Sequence, residues 1–225
     1  MSVITYHASE RRPIASRDVA VVQRLARWLV ARGVSANVIS VSSIWFAGMG
    51  SLCLLATPWT DGFPERMLFG AAALLIQARL LANLLDGMVA VGSRTASPLG
   101  ELYNEVPDRV ADACILIGAG FAGGSTPSLG YLAALLAVFV AYIRALGSSV
   151  GVTGLFIGPM AKPQRMATVT VASIYVACVP AAWPGGLAST RFGVVGIALA
   201  IICAGAALTA VRRLQRIAAQ LRRQS

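Results

Sequence analysis

The sequence predicts an all-α, polytopic membrane protein with six transmembrane helices, preceded by an amphipathic helix that lies at the membrane interface. Of its 225 residues, 57% are hydrophobic and only 12% are charged, and the mean hydropathy is +0.72. A soluble domain carries about twice that charged fraction. Several apolar runs reach the roughly 20 residues that a helix needs to cross a bilayer. No alternation of apolar and polar residues favours strands.

Residues 1–33 are predicted to form a cytoplasmic N-terminus whose residues 18–32 make the amphipathic helix. Trp28 is a typical anchor at the membrane interface, and Gly33 is placed to end the helix. The apolar face of the helix consists of Val19, Val22, Leu25, Ala26, Leu29 and Val30.

Six apolar segments follow within residues 34–211, the predicted transmembrane domain. The spans are expected near residues 37–57, 66–91, 99–122, 129–149, 166–183 and 192–211. Ser35 is placed to cap the first span. Residues 212–225 form a basic cytoplasmic tail that is expected to lie on anionic lipid headgroups. Its arginines are Arg212, Arg213, Arg216, Arg222 and Arg223.

The formal net charge of +10 does not indicate nucleic-acid binding, because the arginines cluster at the ends of apolar runs. That distribution is the one that the positive-inside rule describes. With six spans it places both termini on the cytoplasmic side, together with the polar segment 83–112.

Residues 83–112 contain five of the nine acidic residues of the chain, and carboxylates within a membrane are costly enough to suggest a function. Asn83 and Asp86 are three residues apart, whereas Asn104, Asp108 and Asp112 are four apart, so each set shares one helix face. Two helices that meet along these faces would bring several oxygen ligands together. Such ligands suit Mg²⁺, Mn²⁺ or Ca²⁺ and not zinc.

Three neighbouring features bear on the same segment. Gly87 and Gly100 leave room for a ligand or another backbone. Arg79 lies one turn before Asn83, and it either pairs with the acidic residues or meets an anionic group of a ligand. Pro107 either kinks its helix to aim the polar face or frees a carbonyl that joins the site.

The segment resembles the signature of the CDP-alcohol phosphatidyltransferase family, D-x-x-D-G-x-x-A-R, eight residues, then G-x-x-x-D-x-x-x-D. Three positions depart from it: Asn83 and Asn104 replace aspartates, and Val91 replaces the arginine. This form with asparagines resembles a bacterial subgroup. Residues 34–40 also resemble the T-P-N-x-x-T start of the family's first membrane helix, with Asn37 retained. The identical positions in the signature are Asp86, Gly87, Ala90, Gly100 and Asp108.

The resemblance implies an integral-membrane enzyme of phospholipid biosynthesis in the bacterial inner membrane, with its active site on the cytoplasmic side. The enzyme would move a substituted phosphate, here a phosphatidyl group, from a CDP-linked donor such as CDP-diacylglycerol to an alcohol and release CMP. It would require Mg²⁺ or Mn²⁺, contact membrane lipids and form a homodimer. The acceptor stays open among glycerol phosphate, inositol phosphate, serine and other alcohols, and the donor stays open between CDP-diacylglycerol and a soluble CDP-alcohol.

By position, the resemblance makes Asn83, Asp86, Asn104 and Asp108 metal ligands and Asp108 the catalytic base. Two charges on four ligands favour a single cation, unless another carboxylate contributes. We expect Asp112 to share the ligand or base role, with Glu105 as the alternative. The donor would be bound by Asp86, Gly87, Ala90 and Gly100.

Residues 158–165 resemble the family's G-K-x-x-R element, so we expect the acceptor's phosphate to be held by basic side chains. These side chains are Arg79, Arg144, Lys162 and Arg165. For Arg144, Lys162 and Arg165 the alternative role is as topology signals. A non-catalytic membrane protein with a degenerate metal site is the alternative function. A transporter is disfavoured because no repeats of broken helices are present.

Overall fold

The computed structural model describes residues 19–93, 98–152, 154–179 and 193–224, without the side chains of residues 98–101, 104 and 224. The all-α prediction is confirmed, because these ranges contain helices, turns and loops but no strand. The α-helices are α1 Ala20–Ala31, α2 Ala36–Ala56, α3 Phe63–Gly92, α4 Pro98–Phe121, α5 Pro127–Ser149, α6 Lys162–Cys178 and α7 Val194–Gln224. A 3₁₀ turn, Thr57–Trp59, follows α2.

Helix α1 is the predicted amphipathic helix, and its apolar face packs against the start of α2 and the end of α3. Ala26 is buried there in a cluster with Ile39 and Val89. Gly33, at a φ of +68°, ends the turn after α1. The predicted cap of α2 is also present, since the Ser35 hydroxyl accepts a hydrogen bond from the Val38 amide at 3.3 Å.

Four helical segments are long and apolar enough to cross a membrane, within the ranges that the structure describes. They are Ala36–Trp59, Phe63–Gly92, Pro127–Ser149 and Val194–Arg223. The predicted count of six spans is therefore not confirmed. Helix α4 carries five charged residues, and α6 has only 17 residues. The predicted span 166–183 ends outside the described residues.

The helices pack in pairs that differ from their order along the chain. Helix α2 lies against α3 and α4, α4 lies against α5, and α7 and α6 cover α5 and α3, respectively. Small residues allow close approach: a Cβ on Gly120 of α4 would lie only 2.6 Å from the Gly130 Cα of α5. Gln77 of α3 donates to the Thr170 hydroxyl of α6 at 2.8 Å, which helps to fix α6.

Helix α7 continues through residue 211, where the sequence places the end of the last span. Most arginines of the predicted tail are exposed on it. Arg213 departs from the headgroup-binding role, because it is buried and donates to the carbonyl oxygens of Val140 at 2.8 Å and Ile157 at 3.2 Å. It therefore joins α7 to α5 and to the loop before α6.

Candidate active site at one end of the helix bundle

Polar side chains from five helices meet at one end of the bundle. This end holds the start of α2, the end of α3, the first half of α4, the end of α5 and the start of α6. The α2–α3 turn, with Asp61, lies at the opposite end. The charged and amide side chains described at the site belong to Asn83, Asp86, Glu105, Asp108, Asp112, Arg79, Arg109, Arg144, Lys162 and Arg165.

Lys162 connects the two polar faces that the sequence predicts to converge. Its ammonium group donates to the Asn83 Oδ1 of α3 at 2.5 Å and to the Asp108 Oδ2 of α4. The lysine side chain is only 16% exposed. One cation from α6 thus lies between the end of α3 and the first half of α4, on oxygens that the family resemblance assigned to a metal.

Asp86 is buried near Lys162 and Asp108, and a side chain of α2 holds it. Its Oδ2 accepts a hydrogen bond from the Ser40 hydroxyl at 2.6 Å. Its Oδ1 is buried and has no hydrogen-bond partner within the described residues. Asp86 also lies within electrostatic range of Asp108 and Lys162. A buried carboxylate oxygen without a partner is costly, so this atom is suited to a ligand.

A second, fully buried set of charges lies deeper in the bundle. Arg79 Nη2 hydrogen-bonds Asp108 Oδ1 at 3.1 Å and forms an ion pair with Asp112 Oδ1 at 2.8 Å, the latter without the angle of a hydrogen bond. Arg165 Nη2 donates to Asp112 Oδ2 at 2.8 Å. Of the two roles that the sequence left open for Arg79, the structure therefore shows pairing with the acidic residues.

Glu105 and Arg144 form a third, more exposed pair on α4 and α5. Glu105 Oε1 accepts from Arg144 Nη2 at 2.6 Å, and its Oε2 accepts from Arg109 Nη2 at 3.1 Å. The Arg144 guanidinium also lies 5.9 Å from the centre of the Phe156 ring. Both oxygens of Glu105 thus accept hydrogen bonds from arginines, and its expected alternative role as a metal ligand stays a prediction.

Open space adjoins Asp86 at the position of Gly87. A Cβ added to Gly87 would have no neighbour within 4 Å, which matches the prediction that this glycine leaves room for a ligand. Ala90 is half-buried on the same helix. The side chain of Asn104 and the surroundings of Gly100 lie outside what the structure describes, so their expected roles stay predictions.

No family model matches the chain. Inner membrane protein YnbA of Escherichia coli K12 is 24% identical over 153 residues, 68% of this chain and 73% of the relative. Archaetidylinositol phosphate synthase of Pyrococcus horikoshii is 22% identical over 154 residues, 68% of this chain and 77% of the relative.

Among solved structures, Mycobacterium tuberculosis phosphatidylinositol phosphate synthase in complex with manganese and citrate has a TM-score of 0.69 at 18% identity. The match covers 87% of this chain and 88% of that one. The same enzyme with CDP-DAG bound has a TM-score of 0.68 at 17% identity over 88% and 93% of the chains. This chain has the fold of the CDP-alcohol phosphatidyltransferase family. The resemblance inferred from residues 83–112 is thereby confirmed.

The family fold implies a divalent cation, and the side-chain oxygens of the site differ in whether they are free to bind one. Asp86 Oδ1 is a buried, partnerless carboxylate oxygen and fits a hard cation, whereas Lys162 already contacts Asn83 and Asp108. No group of three or more Asp, Glu, His or Cys side chains able to hold an ion occurs among the described residues. Mg²⁺ commonly takes one or two carboxylates plus substrate phosphates, and the residues present fit that mode.

Sequence reasoning missed two residues of this site. Ser40, which binds Asp86, ends the 34–40 motif, whose resemblance pointed only to Asn37; Asn37 itself is exposed. Arg109 follows Glu105 by four residues, a spacing that predicts an ion pair on a helix, and the pair is present at 3.1 Å. Both signals were therefore available in the sequence.

Proposed function

We propose that this protein is a membrane phosphotransferase that moves a substituted phosphate from a CDP-linked donor to an alcohol and releases CMP, in phospholipid biosynthesis. The observation that carries the proposal is that Asp86 and Asp108 lie at the same end of the bundle, within electrostatic range of each other. These buried carboxylates belong to adjacent helices, and Asp86 presents an oxygen without a partner beside open space. The shared fold supports it, since a solved neighbour of this fold binds CDP-DAG.

The donor that fits best is CDP-diacylglycerol. Its acyl chains suit a site at the end of a bundle with four helices long and apolar enough to cross a membrane. Its diphosphate is anionic and suits a divalent cation held beside it at Asp86. The space at Gly87 would admit the cytidine or diphosphate next to Asp86. The neighbour with CDP-DAG bound supports the same choice.

Asp108 is the candidate base that takes the proton of the attacking hydroxyl. Arg79 fixes its Oδ1, while its Oδ2 lies on the side of Lys162 and the site. Its side chain is 8% exposed, against 2% for Asp112. Both oxygens of Asp112 face buried arginines. We therefore assign Asp108 the base role and Asp112 the positioning of Arg79 and Arg165, a narrower role than the sequence suggested.

The acceptor is proposed to be an alcohol that carries its own phosphate, such as inositol phosphate or glycerol phosphate. Lys162 and Arg144 are partly exposed and could meet that phosphate. Arg79 and Arg165 are fully buried, so they would act through the carboxylates that they hold. The relative and the solved neighbour, named as an archaetidylinositol phosphate synthase and a phosphatidylinositol phosphate synthase, support such an acceptor.

The metal requirement is proposed to be met by Mg²⁺ or Mn²⁺ held by the Asp86 carboxylate together with the phosphates of the donor, because such oxygens suit hard cations. When bound, such a cation neutralises the charge of the diphosphate and of the departing CMP. The remaining expectations of a homodimer, six spans, both termini in the cytoplasm and a cytoplasmic site in the bacterial inner membrane stay proposals. The relative named as an inner membrane protein supports the membrane assignment.

A transfer assay tests the proposal. The purified full chain in liposomes is given labelled CDP-diacylglycerol and Mn²⁺ with, in turn, inositol phosphate, glycerol phosphate, inositol or serine. We expect CMP release and a new phospholipid of the matching mass only with a phosphorylated alcohol. Transfer to serine or inositol alone would contradict the acceptor class. No CMP release with any acceptor would favour the non-catalytic alternative.

A further inference from the structure

Lys162 lies where a positive charge is electrostatically unfavourable unless oxygen atoms of other residues stabilise it. It is the first residue of α6, and the N-terminus of a helix attracts anions and repels cations. It is also the only lysine in the chain. A lysine that served as a topology signal would extend into solvent, as Arg212 does, yet Lys162 is folded onto Asn83 and Asp108.

The partners of Lys162 are oxygens of the signature positions themselves. Asn83 and Asn104 replace two of four aspartates, so those four positions carry a charge of −2 where four aspartates would carry −4. A site with half the negative charge holds fewer positive charges. The ammonium group supplies one of them from within the chain, at the junction of α3 and α4.

We infer that the Lys162 ammonium group permanently takes one cation position of this site, so that the protein binds a single divalent cation. The inference rests on the proposed function for the place of the metal, but it concerns this chain's own lysine. The divalent ion is then left with the free oxygen of Asp86 and the donor's phosphates, away from the Asn83 Oδ1. Helix α6 holds the lysine in place through its contact with α3 at Gln77 and Thr170.

Mn²⁺ binding to the purified full chain in detergent, with CDP-diacylglycerol but no acceptor alcohol, tests this inference by electron paramagnetic resonance titration against a protein-free blank. The variants are Lys162→Met, which removes the charge, and Lys162→Arg, which keeps it. Gln164→Ala is the matched control, because Gln164 is exposed two residues further along α6. Removing Lys162 leaves Asp108 paired with Arg79, so the variant does not strand a buried carboxylate.

We expect one Mn²⁺ per chain in the wild type, Lys162→Arg and Gln164→Ala. In Lys162→Met we expect a second Mn²⁺, or a single ion bound at least about tenfold more tightly, because a positive charge beside the ion is gone. Two ions in the wild type would overturn the inference. So would a Lys162→Met variant whose Mn²⁺ number and affinity equal those of the wild type, including the case in which neither binds Mn²⁺.

Thermal unfolding of each variant shows whether it is folded. If Lys162→Met does not fold, the inference is tested by the number of Mn²⁺ ions bound to the wild type and to Lys162→Arg. One ion in each is expected, and two ions in either would overturn the inference. The assay also separates this inference from the proposed function. A protein that gains Mn²⁺ on loss of Lys162 but never releases CMP supports the inference alone. A protein that releases CMP but binds Mn²⁺ identically with and without Lys162 contradicts the inference alone.

Discussion

The buried ion pair of Asp112 and Arg165 allows a prediction that can be worked out from charges. Arg79, Lys162 and Arg165 carry three positive charges against the two of Asp108 and Asp112. The net charge of this group is +1. Asp112→Leu raises it to +2 and leaves Arg165, which is fully buried, without its carboxylate. Breaking a buried pair on one side costs about 3 to 5 kcal/mol.

Removing both partners gives a different result. In the double variant Asp112→Leu, Arg165→Met, two positive charges remain against one negative, so the group keeps its net charge of +1. Replacing a buried pair with apolar side chains is often neutral or stabilising. We therefore expect Asp112→Leu to lower the free energy of unfolding by about 3 to 5 kcal/mol and the double variant to recover most of that loss.

The assay is equilibrium unfolding in mixed detergent micelles of the wild type, both single variants and the double variant. The four free energies of unfolding give the coupling between Asp112 and Arg165. A coupling below about 0.5 kcal/mol would show that the two side chains act independently. That result, or a double variant less stable than either single variant, would refute the assignment of Asp112 to a structural ion pair.

Two further predictions concern the surroundings of Asp86. Gly87→Leu should keep the stability of the fold, because nothing lies within 4 Å of the new Cβ and leucine favours helix over glycine by up to about 1 kcal/mol. It should nevertheless slow CMP release by about 100-fold, since it fills the space proposed for the donor. Gly48→Leu, at an equally open position on α2, should change neither stability nor CMP release. Equal CMP release by Gly87→Leu and the wild type would exclude a donor site at Gly87. Ser40→Ala removes the 2.6 Å hydrogen bond to Asp86 and should cost about 1.5 to 3 kcal/mol of stability, measured by unfolding in detergent. Ser40→Thr should restore it, and a loss of the same size in Ser40→Thr would show that the hydroxyl is not what matters.

Most helices could be predicted from the sequence to within a few residues, because apolar runs and end signals such as Ser35 and Gly33 are local. The meeting of α3 and α4 was also predictable, since spaced polar residues inside apolar helices must face one another. The number of membrane spans was harder to predict from the sequence. Charged residues make α4 resemble a soluble helix by composition, although it packs within the bundle.

Contacts between distant parts of the chain could not be predicted from local sequence patterns. Lys162 reaches Asn83 across 79 positions, and Arg213 reaches Val140 across 73. A basic residue near a helix end has the same sequence signal whether it lies on lipid headgroups or inside the bundle. For Arg79 the sequence left two partners open, because an arginine in a membrane can be stabilised either by a carboxylate of the protein or by an anionic group of a ligand.

The central claim is that Asp86 and Asp108 together form the site at which the CDP-linked donor is cleaved. Its most direct test is Mn²⁺-dependent CMP release from CDP-diacylglycerol by Asp86→Asn and Asp108→Asn, with Asp61→Asn as control. Asp61 is an exposed acid at the other end of α3. We expect Asp108→Asn to lose about 100- to 10,000-fold in rate, Asp86→Asn to fall to background and Asp61→Asn to match the wild type. Folded Asp86→Asn or Asp108→Asn protein that releases CMP at the wild-type rate would contradict the claim.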